Sequence, residues 1–192
     1  MLSPLVQELI VKARIVSFDA WAPAHSAEVI ARFQAADDER RYLTDADLAG
    51  LDGTVAVLLR DQAAAIVDEA RVEVLRQFSG ILEPGGGLYP AARSEACWRD
   101  FWHFLRCVSY GIAGQQRDYL SQPGLAAMKQ LYVELQVPLA AMVVGVEALK
   151  AVGLQRLAVS PAAAGGTADS ADIGVYFDPL ILAIQAFHSE RG

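Results

Sequence analysis

Cys97, Arg99 and Asp100 fall within one four-residue string, Cys97-Trp98-Arg99-Asp100, and between them offer three kinds of chemistry. A thiol can add to an unsaturated ligand and leave a thioether, a carboxylate can accept hydrogen bonds from ligand N–H groups, and a guanidinium can grip a ligand carboxylate. On a helix, Cys97 and Asp100 are three apart and share a face, with Arg93 one turn before the thiol. Arg99 is two positions from the thiol, points elsewhere, and reaches only a different part of an elongated ligand. Phe101 and Phe104, one turn beyond Cys97, provide an apolar wall. A plainer reading stands beside this one. Unpaired cysteine is among the most buried residue types, so Cys97 can be core, with Asp100 and Arg93 as surface charges.

The other reactive residues say less. Cys107, ten residues on and nearly opposite in helical phase, reads as a packed thiol before it reads as a second attachment point. His103, between Trp102 and Phe104, could ligate a metal or haem, but an aromatic-flanked histidine is more often a packing residue. His25 and His188 have no acidic or thiol partner at ligand spacing. There is no His-Glu-x-x-His, no Cys-x-x-Cys, no phosphate-binding loop and no Gly-x-Ser-x-Gly elbow. Gly85-Gly86-Gly87 lacks a following Lys-Ser/Thr and reads as a turn. No catalytic constellation emerges, and the chain is not read as an enzyme.

These residues must be positioned by helices, because no alternating run is long enough for a strand. A first amphipathic segment carries Leu5, Leu9, Ile10, Ala13 and Val16. Pro23 fits the first turn of a second, with Val29, Ile30 and Phe33. Asp37-Asp38-Glu39-Arg40-Arg41 reads as a solvated hinge. Thr44 with Asp47 resembles a capping box opening a third segment, which Asp52-Gly53 breaks or bends before Val55, Leu58, Leu59, Ile66, Val67 and Leu75 continue its apolar face. Glu83-Pro84-Gly85-Gly86-Gly87 forces a loop. A long helix is expected from about Ala91 to Ala113, and others at roughly Ser121–Leu135, Pro138–Val152 and Ser170–His188, with a loop from Ser160 to Thr167.

Composition is consistent with one all-α domain spanning 1–192, of which 1–43 is an N-terminal helical extension or assembly segment. The 192 residues are 54% hydrophobic and 20% charged, enough to bury a full core. Sixteen basic against twenty-three acidic residues give a net charge of -7, which disfavours nucleic acid or an anionic membrane as partner. The most apolar stretch, Val137 to Val146, is far shorter than a membrane span. The start Met1-Leu2-Ser3-Pro4 lacks a signal-peptide pattern, and two cysteines suggest no disulfide framework. A cytoplasmic protein is expected.

The region from Ala36 to Asp178 resembles the phycobiliproteins, and among them the allophycocyanin subunits. Ala36-Asp37-Asp38-Glu39-Arg40-Arg41-Tyr42-Leu43 is similar to the family's Ala-Asp-x-Glu-x-Arg-Tyr-Leu start. Pro84-Gly85-Gly86-Gly87-Leu88-Tyr89 resembles its Pro-Gly-Gly-Asn-x-Tyr loop. Ala96-Cys97-Trp98-Arg99-Asp100 follows where the family has Ala-Cys-x-Arg-Asp. Phe104-Leu105-Arg106-Cys107-Val108-Ser109-Tyr110 resembles Tyr-Leu-Arg-x-Val-Thr-Tyr. Leu135-Gln136-Val137-Pro138, Gly145-Val146-Glu147-Ala148-Leu149-Lys150 and Tyr176-Phe177-Asp178 match later motifs in order.

The resemblance implies a globin-like fold with additional N-terminal helices that mediate subunit pairing. It implies one open-chain tetrapyrrole, a bilin of phycocyanobilin type, joined by thioether to Cys97. Asp100 would then hydrogen-bond the inner pyrrole nitrogens and Arg99 pair with a propionate. Arg93 is a second propionate candidate, and Tyr89, Tyr110 and Tyr132 would help wall the pocket. Gly87 stands where many β-type subunits carry an asparagine that lies against the bilin. The implied partners are other phycobiliprotein subunits or a second copy in a dimer- or trimer-type assembly, linker polypeptides and a bilin lyase. The implied location is the cytoplasmic face of thylakoid membranes. The implied role is light harvesting and energy transfer in a phycobilisome, or light sensing. The alternative is a pigment-free phycobilisome assembly or regulatory protein that keeps the fold and binds antenna subunits.

Trp98, His103, Gln115-Gln116-Arg117, the short span from Leu43 to Glu83 and the N-terminal extension depart from the family pattern. The Ser160–Thr167 loop has no cysteine, so no second bilin is expected.

Overall fold

The computed structural model describes residues 2–160 and 170–189. Nine α-helices are described: α1 (Pro4–Lys12), α2 (Ala27–Asp38), α3 (Thr54–Asp61), α4 (Ala63–Gln77), α5 (Ala91–Ala113), α6 (Gln122–Glu134), α7 (Leu139–Ala158), α8 (Ser170–Gly174) and α9 (Asp178–Ser189). No strand forms among the described residues; a lone antiparallel bridge joins Val16 to Leu120.

The central layer is α5 with α3, α4 and α7 packed on it, and α9 on α7. Helix α5 has the expected bounds because Pro90 stands at its N-cap and Gly114 at its C-cap. Its buried side carries Cys97, Phe101, Phe104, Leu105 and Val108, the i, i+3, i+4, i+7 stripe of an amphipathic helix. Helices α5 and α7 approach so closely that a Cβ on Gly145 would lie 1.9 Å from the Phe101 ring. Only hydrogen fits there.

Several segment bounds differ from expectation. Pro23 opens no helix. A short 3-10 turn at Asp19–Trp21 precedes it, and α2 begins at Ala27, where the Ser26 hydroxyl accepts from the Val29 N–H. Thr44 and Asp47 do form the reciprocal capping pair, but they close a turn rather than an α-helix. The helix waits until Thr54, whose N–H bonds Asp52. Helix α7 runs on to Ala158, and the last segment divides into α8 and α9 around a turn ending at Phe177. The expected loop beyond Ser160 lies outside the described residues.

The N-terminal region is the larger surprise. Helix α1 packs along α6 through Val6, Leu9 and Leu131. The chain then crosses the start of α6 so closely that a Cβ on Gly124 would meet the Arg14 carbonyl at 1.7 Å. Phe18, Trp21 and Phe33 pack edge-on to one another, with Phe18 and Phe33 also against Tyr110 of α5.

The expected solvated hinge at Asp37–Arg41 is solvated only in part: Asp38, Glu39 and Arg40 are exposed, but Asp37 is docked. Asp37 is 4% exposed, the Arg106 guanidinium donates to its Oδ1 at 2.8 Å, and Arg14 donates to its Oδ2 at 2.5 Å. Phe33, Ala36 and Asp37 share a helix face, and that face is buried. The carboxylate follows its apolar neighbours inward because Arg106 is there to meet it.

Removing that carboxylate leaves Arg106 buried without its ionic partner. Asp37→Ala is expected to cost about 3–5 kcal/mol, read as a lowered midpoint of urea unfolding. A neutral surface change such as Asp68→Ala should shift it by under ~0.5 kcal/mol.

Candidate functional site

A cavity of about 470 Å³ lies between α5 and α6, within the range that accepts a medium-sized organic ligand. Helix α5 contributes Cys97, Asp100 and Phe104, and α6 contributes Met128, Leu131 and Tyr132. The third side comes from the N-terminal region: Leu2, Ile10 and Ala13 around α1, and Arg40 just after α2. The wall is mainly apolar and its polar groups are few and specific.

Cys97 is buried, and its thiol lies 3.1 Å from the Met142 sulfur. Burial pushes the thiol pKa well up, and the charge of Asp100 adds to the effect. The half-buried Asp100 accepts a hydrogen bond from the Tyr132 hydroxyl at 2.8 Å. Burial raises its carboxyl to about 6, while the Tyr132 bond and Arg99 pull it down. Near neutral pH it remains an acceptor, poised close to protonation.

His103 also lines the cavity. Burial and the surrounding cations Arg106, Arg40 and Arg99 push it down to about 4, so the ring is neutral. The Arg106 Nε lies 3.3 Å from its Nδ1, and its ring stands edge-on to Trp102. No cluster of three metal-ligating side chains occurs among the described residues. Cys107 reaches the wall too, with its thiol raised to about 11 by burial.

Of the residues singled out from the sequence, Cys97, Asp100, Arg99, Arg93 and Tyr132 come together on this cavity. Arg93 sits at the edge and ties two loops together, donating from Nε to the Gly87 carbonyl at 3.2 Å and from Nη2 to the Gln136 carbonyl at 2.8 Å. Three residues lie off the lining. Tyr110 is fully buried with its hydroxyl between Arg106 and the Arg41 carbonyl, so it braces the N-terminal region. Tyr89 is 47% exposed. Gly87 packs on Pro138, where a Cβ would come within 3.1 Å.

Trp98, the unexpected residue of the string, faces elsewhere. It packs on Phe101 and lies under the Arg71 guanidinium, 5.3 Å from the ring centroid. It leaves the cavity untouched. What sequence reasoning missed is the contribution from before residue 43, above all Arg40; the shared phase of Phe33, Ala36 and Asp37 was the available signal.

Comparison with known proteins gives the family and the fold. A family model described as "Phycobilisome protein" matches residues 31–184. The allophycocyanin alpha chain of Galdieria sulphuraria is 31% identical over 159 residues, covering 78% of this chain and 94% of its own. The allophycocyanin subunit alpha-B of Synechocystis sp. is 29% identical over 155 residues, covering 76% and 91%. Among solved structures, a far-red fluorescent biliprotein derived from a far-red induced allophycocyanin F subunit of Chroococcidiopsis thermalis superposes with a TM-score of 0.60 at 26% identity. It covers 68% of this chain and 93% of that one. The globin-like all-α fold is therefore shared.

The two shifted groups act on stability in opposite directions. Folded Asp100 holds its proton up to about 6 rather than 3.8, so the unfolded chain releases its proton first as pH rises. Its contribution is full below about pH 4 and is lost by about pH 6. Folded His103 resists protonation down to about 4 rather than 6.5, so its contribution is lost as pH falls across that window. Asp100→Asn should remove the first trend, worth on the order of 2 kcal/mol. Urea midpoints of the variant should rise more steeply from pH 4 to 6 than those of the wild type.

Proposed function

The chain belongs to the phycobilisome protein family, and from that premise we propose that it is a pigment protein holding one bilin, thioether-linked at Cys97. The observation that carries the reading is the convergence of a thiol, a tyrosine-supported carboxylate and guanidinium groups on one apolar cavity. That donor set fits a linear tetrapyrrole: apolar walls for the rings, an acceptor for the pyrrole N–H groups and cations for the propionates. When bound, the pigment supplies visible absorption and emission or onward transfer of the energy.

Cys97 would hold the bilin as a thioether, its S–H adding across a carbon–carbon double bond of the ligand with the proton passing to the neighbouring carbon, so that no oxidant would be needed. Because the thiolate is the nucleophile and burial disfavours it, unassisted attachment is slow, which is consistent with help from a lyase. Asp100 accepts from the ligand N–H groups and is held in place by Tyr132. Arg99 takes a propionate at the cavity edge.

The role proposed for the site is optical. No described helix is long and apolar enough to cross a membrane. Partners of phycobiliprotein type, or a second copy, are the expected assembly, in light harvesting or as a light sensor. Trp98, a departure from the family pattern, does not intrude on the cavity, which favours the pigment reading over the pigment-free assembly role.

Co-expression with a bilin-producing pathway and its lyases tests the reading. A denaturing gel should show a zinc-enhanced fluorescent band for the wild type and none for Cys97→Ala. Absence of the band in the wild type sinks the covalent pigment and leaves the assembly role; its survival in Cys97→Ala moves the tether elsewhere.

A further inference from the structure

Five arginines reach the cavity wall: Arg14, Arg40, Arg93, Arg99 and Arg106. Three of them are already engaged. Arg14 pairs with Asp37 and Asp38, Arg106 with Asp37 and the Tyr110 hydroxyl, and Arg93 with two loop carbonyls. The side chains of Arg40 and Arg99 make no hydrogen bond or ion pair among the described residues. Both are exposed, and the charges of both act on the neutral His103. The cavity therefore has an apolar interior and a rim with two uncommitted guanidiniums. Such a rim recognises an amphiphile whose body is apolar and whose two acid groups remain near water.

We propose that Arg40, supplied by the turn after α2, is a second carboxylate anchor of the cavity and works opposite Arg99 to hold the two acid groups of one ligand. This rests on the bilin reading and extends it, because the anchor comes from the N-terminal region rather than from α5. Its placement has a structural cause. The Asp37–Arg106 pair docks the end of α2 on α5, and the helix ends with the Arg41 N–H bonded to the Ala36 carbonyl and the Arg40 N–H to that of Asp37. That ending puts Arg40 in the left-handed region, at φ 55°. Three residues beyond a fixed ion pair, in a closed turn, the Arg40 side chain leaves from a defined point on the rim. Ligand binding thus bridges the N-terminal region and the body of the fold.

The variant for the test is Arg40→Asn, since asparagine tolerates the left-handed backbone and removes only the cation. Full-length protein is titrated with biliverdin and with its dimethyl ester, following the pigment absorbance, while melting and helical signal are compared with the wild type. The wild type should take up the diacid at about five- to tenfold lower concentration than the diester. Arg40→Asn should lose most of that preference with its melting unchanged, and Arg40→Lys should recover part of it. Uptake by Arg40→Asn with the wild-type preference intact, or equal uptake of diacid and diester by the wild type, overturns the Arg40 assignment and leaves the bilin reading standing. No uptake of either pigment by the wild type overturns both.

Discussion

A carboxylate and a guanidinium, each about 95% removed from solvent, meet between α2 and α5, and the shape of the candidate site depends on them. The Asp37–Arg106 pair is not a large net source of stability, because desolvating two charges offsets much of their attraction. Its effect is on specificity. Any packing of α2 on α5 that parts these two charges leaves one of them buried without its partner, which disfavours other registers of the N-terminal region. Arg14 on the second oxygen of Asp37 and the Tyr110 hydroxyl on the Arg41 carbonyl tie the same junction from two more directions. With the junction fixed, α1 is led across the start of α6 and lies along it. There its Ile10 and Ala13 form the outer wall of the cavity.

Helix α5 then serves two surfaces at once. The phase that turns Cys97, Asp100 and Phe104 to the cavity turns Trp98 to Arg71 on the far side. Phe101, between these directions, fills the gap left by Gly145 and locks α5 to α7. Cys97 and Asp100 are thus mounted on a helix held along most of its length by core contacts. A long ligand needs such a mount, because its attachment point and its hydrogen-bond acceptor must keep a fixed spacing.

The sequence made the central helix legible to the residue, because proline and glycine mark both its ends and its apolar stripe is regular. It also showed the Cys97–Asp100 pairing, which depends only on spacing within one helix. Tyr110 and Asp37 were harder for the same reason as each other: burial of a polar group is decided by its partner, and the partners lie 69 residues away in each case. Five charged residues in a row look like a solvated surface until one of them is matched by a distant arginine. Helix bounds near Pro23 and Thr44 went astray because local capping signals can close turns as well as open helices. The shared phase of Phe33, Ala36 and Asp37 signals a docked N-terminal region, but nothing local says which way that region carries Arg40.

The charges left over after internal pairing also decide how a ligand must lie. Asp100 sits beside the thiol within the low-dielectric part of the cavity, and a ligand acid group placed there would face a second carboxylate. Two such groups at close range cannot both stay ionised without a large penalty. At the rim the signs reverse, with Arg40 and Arg99 exposed and uncommitted, both acting on a neutral imidazole. An amphiphile bearing N–H donors and acid groups therefore has one favourable orientation, donors toward Asp100 and acids toward the rim. The N-terminal region, through Arg40, has a part in setting that orientation.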